Sequence, residues 1–342
     1  MPRDVVVLFV HGINTTCQNY YEPLRDLIVK KLSRNRKTKV AENVIFRAVF
    51  WADIVRGRQQ EYIHYAKQLG QLKPHALHTM VLEGLGDAAA YQKTERQQNS
   101  AYHDIQRRVH TALADVTTPG EDARPLIVIA HSLGCHVISS FAWDLFKLKN
   151  HEAFEVLGKM SDDQADFDRA TEERGPKSVQ LDAVTQRFIK SLPKRTALQR
   201  LDTLAGIVTV GNNMPLFTFV HGPQHVVPVF CVPKKVACQP AFPGVALTPA
   251  VSALAKWINI YSENDPLGYP LKPLNDAYDN EPRLQDIVTR SEWHAPRNWR
   301  EWLKLHAFNL FCIREGFALS AHVGYWHDPK VAAEAVVYQF EI

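Results

Sequence analysis

Pro125-Leu126-Ile127-Val128-Ile129-Ala130-His131-Ser132-Leu133-Gly134 is the stretch that decides the fold. Its first six residues are a short apolar, largely β-branched run, the pattern of a strand buried on both faces of a parallel sheet. Beyond it Val137, Ile138, Phe141, Leu145 and Leu148 recur at helical spacing, which leaves only Ser132, Leu133 and Gly134 for the junction. The chain opens with the same unit. Val5 to Val10 is a continuous apolar run, His11-Gly12-Ile13 begins a turn, and Tyr21, Leu24, Leu27, Ile28 and Leu32 mark a helix face. Asn43 to Val55 reads as a second strand, residues 56 to 100 as helical and peripheral, and Tyr102, Ile105, Val109 and Leu113 as one face of a later helix. Leu204 to Val210 and Lys256 to Tyr261 supply two more strands. Strands alternating with helices from end to end predict the α/β class, a mostly parallel sheet with helices on both faces.

Two segments interrupt the alternation. Residues 150–203 are rich in charge, with Asp162, Asp163, Asp166, Asp168, Glu172 and Glu173 bunched together, and are expected to form a solvated excursion or a lid. Residues 212–256 are apolar but carry seven prolines from Pro215 to Pro249, too many for a helix and awkward for a central strand. Neither contains a Gly/Ser tether, so 1–342 is expected to be one domain with insertions at 150–203 and 212–256.

With 46% hydrophobic and 22% charged residues over 342 positions, the composition is that of an ordinary globular chain. Forty Lys and Arg against 36 Asp and Glu give a net charge of +4, far from the dense basic stripe of a nucleic-acid binder. The run Lys30, Lys31, Arg34, Arg36, Lys37 and Lys39 suits the negative end of the helix before it. Five cysteines without a CxxC pair argue for neither a disulfide framework nor a Cys-rich zinc site. No signal-peptide pattern and no stretch of ~20 apolar residues is present, so a cytoplasmic location is expected and any membrane contact is peripheral. Oligomeric state is not legible.

The chemistry concentrates at Ala130-His131-Ser132-Leu133-Gly134. A serine on a tight strand-to-helix turn is lifted clear of the backbone, so that its hydroxyl faces both a base and a bound carbonyl. Small residues two before and two after let strand and helix approach. Ala130 stands where the G-x-S-x-G pattern has its first glycine, one methyl larger.

These residues resemble the nucleophile elbow of the α/β-hydrolase family, and the A-H-S-x-G form is similar to that of some bacterial lipases and esterases. Val10-His11-Gly12-Ile13 resembles the family's strand ending in His-Gly. The resemblance implies an oxyanion hole made by the backbone N–H groups of Ile13 and Leu133, with Gly12 bringing the chain close to the substrate. It also implies the chain order serine, acid, histidine. Ser262-Glu263-Asn264-Asp265-Pro266 follows a strand where the family acid occurs, which selects Asp265 with Glu263 behind it. Ala321-His322-Val323-Gly324-Tyr325-Trp326-His327-Asp328 precedes an expected final helix, Pro329 to Val337. His322 is preferred over His327, with the aromatics packed behind it. His11, His131 and Gly134 are expected to support the motif.

The implied activity is two-step acyl transfer on a carboxylic ester by Ser132, His322 and Asp265, without a metal or an organic cofactor. Thioesters, phospholipids and peptides suit the same three residues, and a non-catalytic scaffold that binds a ligand is the second class. Phe217, Phe219, Phe230 and Phe242 would either line a pocket for a small-molecule ester or lipid-like substrate, or bury the sheet edge. His64, His75, His78, His103 and His110 lack an H-E-x-x-H pattern and are expected at the surface. Gly84-Leu85-Gly86-Asp87-Ala88-Ala89 matches a dinucleotide fingerprint but lacks the strand-turn-helix setting, so it reads as a helix-packing feature.

Overall fold

In the computed structural model of the chain, the apolar run Val5–Val10 is strand β1, all six residues buried. The structure describes residues 5–13, 15, 17–34, 43–70, 76–92, 100–115, 123–145, 196–219, 222, 242–289, 322 and 324–328, with no side-chain placement for 76–81 and 83. Five further strands follow: β2 (Val44–Val49), β3 (Leu126–His131), β4 (Leu204–Val210), β5 (Lys256–Ser262) and β6 (Leu284–Thr289). They form one six-stranded sheet in the order β2-β1-β3-β4-β5-β6, and every pairing is parallel.

Alternation along the strands sends side chains to two cores. Val5, Val7 and Phe9 pack with Ile127, Ile129 and Val208 against Leu24, Ile28 and Leu32 of the helix Glu22–Arg34. Val6, Leu8 and Val10 pack with Val128, Ile207 and Trp257 against Tyr102, Ile105 and Val109 of the helix Ala101–Ala114, and against Val137 and Phe141 of the helix over 133–145. The α/β class with helices on both faces therefore holds. The two faces also define a switch point in the sheet. The helix after β1 lies on one face and the helix after β3 on the other, although the two strands are neighbours. Such a switch point opens a gap at the carboxyl ends of the strands.

Four expectations need correction. The strand expected from Asn43 to Val55 ends at Val49, and the helix Ala52–Gln68 takes up Asp53, Ile54 and Val55. The apolar residues Ala52 and Val55 are three apart and both buried, a spacing that serves a helix face as well as a strand end. Strand β6 has no counterpart in the sequence reading, because as an edge strand it is half-exposed and its pattern Leu284-Gln-Asp-Ile-Val-Thr289 is broken by polar residues. The prolines of 212–256 do not exclude helix. Pro215 and Pro249 sit in the first turns of Met214–Thr218 and Pro249–Leu254, where a missing N–H costs nothing, and Lys256 already belongs to β5. His103 and His110 are buried, not at the surface, with His103 bonded to Ser100 and His110 to Gln199; His64 is exposed.

Of the charged segment 150–203, the part from 196 to 203 packs Leu198 and Leu201 into the core. The acidic bunch, the lid, the final helix Pro329 to Val337, His75 and the side chain of His78 lie outside the described residues. Gly86 falls within the helix Ala76–Ala90, where a Cβ would stand 2.9 Å from Gln59 Nε2 on the neighbouring helix. Among the described residues no helix is long and apolar enough to cross a membrane.

Candidate active site

Ser132 follows the last residue of β3 with φ at 53°, a left-handed conformation that a non-glycine residue adopts at a cost of roughly 1–2 kcal/mol. The strain is held in place by its surroundings. The Ser132 N–H donates to the Val210 carbonyl at 3.0 Å, and the helix starts at once with Leu133. Gly12, at the end of β1, lies against it: a Cβ there would come within 2.5 Å of Ser132 Cβ and 3.0 Å of Oγ. Gly134 is tighter still, since a Cβ would meet the carbonyl oxygens of Val10 and His11 at 2.5 and 2.6 Å. Both obstacles are backbone and cannot rotate away. Gly134→Ala is therefore expected to cost at least ~1–3 kcal/mol in urea unfolding, by forcing β1 from the start of the helix; an unchanged midpoint would contradict this packing.

Three residues far apart in the chain form one hydrogen-bonded line. The Ser132 hydroxyl donates to His322 Nε2 at 2.7 Å, and His322 Nδ1–H donates to Asp265 Oδ1 and Oδ2 at 2.9 and 3.0 Å. An ionised carboxylate only accepts, which fixes the proton on Nδ1 and leaves Nε2 free to accept. All three side chains are buried. Asp265 also accepts from the Leu267 N–H at 2.9 Å and from the Tyr325 hydroxyl at 2.9 Å. Burial pushes the Asp265 carboxyl up, but the bonds from His322, Leu267 and Tyr325 outweigh it and hold the group below its ordinary value.

The remaining motif residues are structural props. His131 Nε2–H donates to the His322 carbonyl at 2.7 Å, so the residue before the serine anchors the backbone of the distant histidine. His11 Nδ1–H donates to the Gly12 carbonyl at 2.6 Å and its Nε2 accepts from the Trp51 N–H at 3.0 Å. Thr15 Oγ1 donates to the same Gly12 carbonyl at 3.2 Å. With that oxygen pinned, the planar trans peptide turns the Ile13 N–H the opposite way. Leu133 opens its helix, where the first N–H groups have no partner a turn earlier.

Two alternatives fall away from this cluster. Glu263 is exposed on the loop. His327 is exposed on the wall of a separate hollow of about 540 Å³, beside Cys17, Glu22 and Asp26. The aromatics do not converge on one pocket either: Phe242 is in the sheet core, Phe219 is 67% exposed, Phe217 stacks on His136, and Phe230 is outside the described residues.

Sequence reasoning missed two contributors. Tyr325, read as packing, donates to Asp265 while its oxygen accepts from the Ser262 N–H at 3.0 Å, so it ties the acid to the end of β5. Gly211 has φ at +54° and leaves room for Asp265 and His322, whose atoms lie 3.0 and 3.2 Å from a Cβ placed there. A glycine directly after the buried run Leu204 to Val210 was the available signal.

Burial pushes His11 and His131 down to about 3, so both are neutral in the fold. In the unfolded chain each takes up a proton near 6.5. The unfolded state therefore binds more protons between these values, and stability is complete above pH 6.5 and falls as pH drops toward 3. Asp265, held below its ordinary 3.8, adds a loss at lower pH still. Urea unfolding measured against pH is expected to show this slope, and His131→Gln, which keeps a donor but cannot titrate, should make it shallower. A slope that the substitution leaves untouched would remove His131 from this account.

The fold and the site thus define an α/β protein with a buried serine-histidine-aspartate line at the switch point of its sheet. Comparison with models of known protein families and with curated proteins found no match for the chain. Among the described residues no group of three or more His, Cys, Asp or Glu side chains is arranged to hold a metal ion.

Proposed function

We propose that the protein is a serine hydrolase of the α/β-hydrolase type, a single domain that cleaves carboxylic esters through an acyl-enzyme intermediate. The observation that carries this reading is the unbroken line from Ser132 Oγ to His322 Nε2 to Asp265, with the serine on a strained strand-to-helix turn. A hydroxyl is a weak nucleophile, and a neutral imidazole accepting its proton is what activates it.

In the first step His322 Nε2 takes the Ser132 proton as Oγ attacks the ester carbonyl. Asp265 keeps the imidazole in the productive tautomer and stabilises the imidazolium that forms. The negative charge that develops on the carbonyl oxygen is met by the N–H groups of Ile13, which follows the Gly12 that lies against Ser132, and of Leu133, in the first turn of its helix. Loss of one such donor typically costs ~10²–10³ in rate. His322 then gives its proton to the leaving alcohol, and a water activated by the same imidazole releases the acid. A small-molecule ester is the substrate.

The test is a p-nitrophenyl ester series from acetate to palmitate, with fluorophosphonate labelling in parallel. The expected result is turnover together with covalent labelling at Ser132. Folded protein that neither turns over any ester nor labels would refute the hydrolase reading and favour a ligand-binding scaffold. A rate that peaks at acetate would remove a lipid-like substrate.

A further inference from the structure

The turn that carries Ile13 is held from the side by a different element. Three hydrogen bonds reach it from Trp51 and the helix Ala52–Gln68 that follows. The Trp51 N–H donates to His11 Nε2 at 3.0 Å, the indole Nε1–H donates to the His11 carbonyl at 2.9 Å, and Arg56 Nη2 donates to the Thr15 carbonyl at 2.8 Å. The His11 and Trp51 rings also stack, with centroids 4.7 Å apart. Both of those residues are fully buried, so their two bonds belong to the core. Arg56 is half-buried and is not among the helix's core residues, Ala52 and Val55.

The third bond bears on the direction of one N–H. Thr15 Oγ1 holds the Gly12 carbonyl, and the planar trans peptide then sets the Ile13 N–H opposite to it. A hydroxyl can hold that oxygen only while its own backbone stays in place. Among the described residues between Gly12 and the helix that begins at Glu22, Thr15 is fixed to the rest of the fold through Arg56. A guanidinium donor makes that bond stronger than one between neutral groups.

We propose that Arg56 is a positioning residue for the reaction at Ser132: by holding Thr15, and through it the Gly12 carbonyl, it keeps the Ile13 N–H aimed at the substrate oxygen as that oxygen takes up charge. The inference rests on the serine hydrolase reading and on Ile13 as a donor. Arg56 itself touches no substrate. Its removal therefore weakens the transition state and leaves ground-state binding alone, which lowers kcat and spares KM. Formation and breakdown of the acyl-enzyme each pass through an oxyanion, so the two steps slow together. A donor lost outright costs ~10²–10³ in rate, and one that is kept but poorly aimed should cost less, about tenfold.

The experiment measures kcat and KM on p-nitrophenyl acetate for the full chain, Arg56→Met, Thr15→Val and the double variant, together with the Ki of a trifluoromethyl ketone. Ser132 Oγ bonds to the ketone carbon, the hydroxyl proton passes to His322 Nε2, and the carbonyl π pair becomes an oxyanion. Affinity for the ketone thus reads the donors with no leaving group involved. Methionine keeps most of the stem of Arg56 without its donors, and valine keeps the shape of Thr15 without its hydroxyl. Arg56→Met is expected to lower kcat about tenfold, raise Ki about tenfold and leave KM within about twofold. Because Arg56 acts through Thr15, the double variant should be no slower than the slower single one, whereas independent losses would multiply. Unchanged kcat and Ki, a change confined to KM, or losses that multiply would each overturn the positioning role. Fluorophosphonate labelling of Ser132 separates the two levels of failure. Labelled, active wild type whose rate Arg56→Met leaves untouched sinks this role alone, whereas wild type with neither labelling nor turnover sinks the hydrolase reading and this role with it. Should Arg56→Met fail to fold, the shorter, uncharged Arg56→Gln takes its place in the same measurements.

Discussion

Ser132→Ala is expected to lower ester turnover by about 10⁶-fold in kcat, the scale seen when a hydrolase loses its nucleophile but keeps its oxyanion donors. The substitution removes one oxygen and nothing else. Alanine has the same Cβ as serine, so the close approach of Gly12 to Cβ is unchanged and the positive φ is no worse tolerated. The N–H at position 132 still reaches the Val210 carbonyl. The lost hydroxyl bond to His322 is therefore the change that matters, and far- and near-ultraviolet circular dichroism should overlay on wild type. Initial rates on the p-nitrophenyl ester that wild type prefers are the measurement. A variant that retains more than about a hundredth of the rate would show that another group attacks the ester, because a positioned general base and oxyanion donors alone leave only a small residual acceleration over water.

The second large effect is at the acid. Asp265→Asn is expected to lower kcat by about 10⁴-fold while the fold persists. The carboxylate accepts from His322 Nδ1–H, from the Leu267 N–H and from the Tyr325 hydroxyl. A carboxamide of the same shape has one accepting oxygen and one donating nitrogen. If the nitrogen faces His322, it donates to Nδ1 and drives the ring proton to Nε2, where it points at Ser132 and cannot take the hydroxyl proton. If the oxygen faces His322, the amide nitrogen is set against Leu267 N–H or Tyr325 O–H, donor against donor. Either arrangement costs the site its base or its geometry. Glu263→Gln is the matched control: Glu263 is exposed and outside the line, so its rate should stay within about twofold of wild type, as for a surface change. Loss at Glu263 with retention at Asp265 would reverse the assignment.

The two predictions separate what a motif conveys from what geometry conveys. The elbow Ala130-His131-Ser132-Leu133-Gly134 was legible because each requirement is local: a buried strand, a tight turn and a helix within a few residues, each with its own pattern. The strands β1, β3 and β4 were legible for the same reason, as buried runs rich in Val, Ile and Leu, and β5 through its buried Trp257, Ile258 and Ile260. Strand β6 was not, since an edge strand is half-solvated and its polar residues hide the period. The helix starts at Pro215 and Pro249 were missed because a proline breaks a helix in its interior but suits its first turn, and sequence spacing alone did not tell which position it held.

The sequence by itself determined the α/β alternation and the tight strand-to-helix turn at Ser132, while Asp265 and His322 were expected only from the resemblance. It did so because secondary structure and turn geometry depend on neighbours within a few residues, where side-chain period and backbone sterics dominate. Only the tertiary structure decided that residues 132, 265 and 322 meet within hydrogen-bond distance, that Tyr325 is a donor to the acid and not packing alone, and that His131 holds the backbone of His322. Those are facts about direction at one or two ångströms between segments as much as 191 residues apart. The register of the parallel sheet and the packing of its two faces fix such directions, and neither is written in any local stretch of chain.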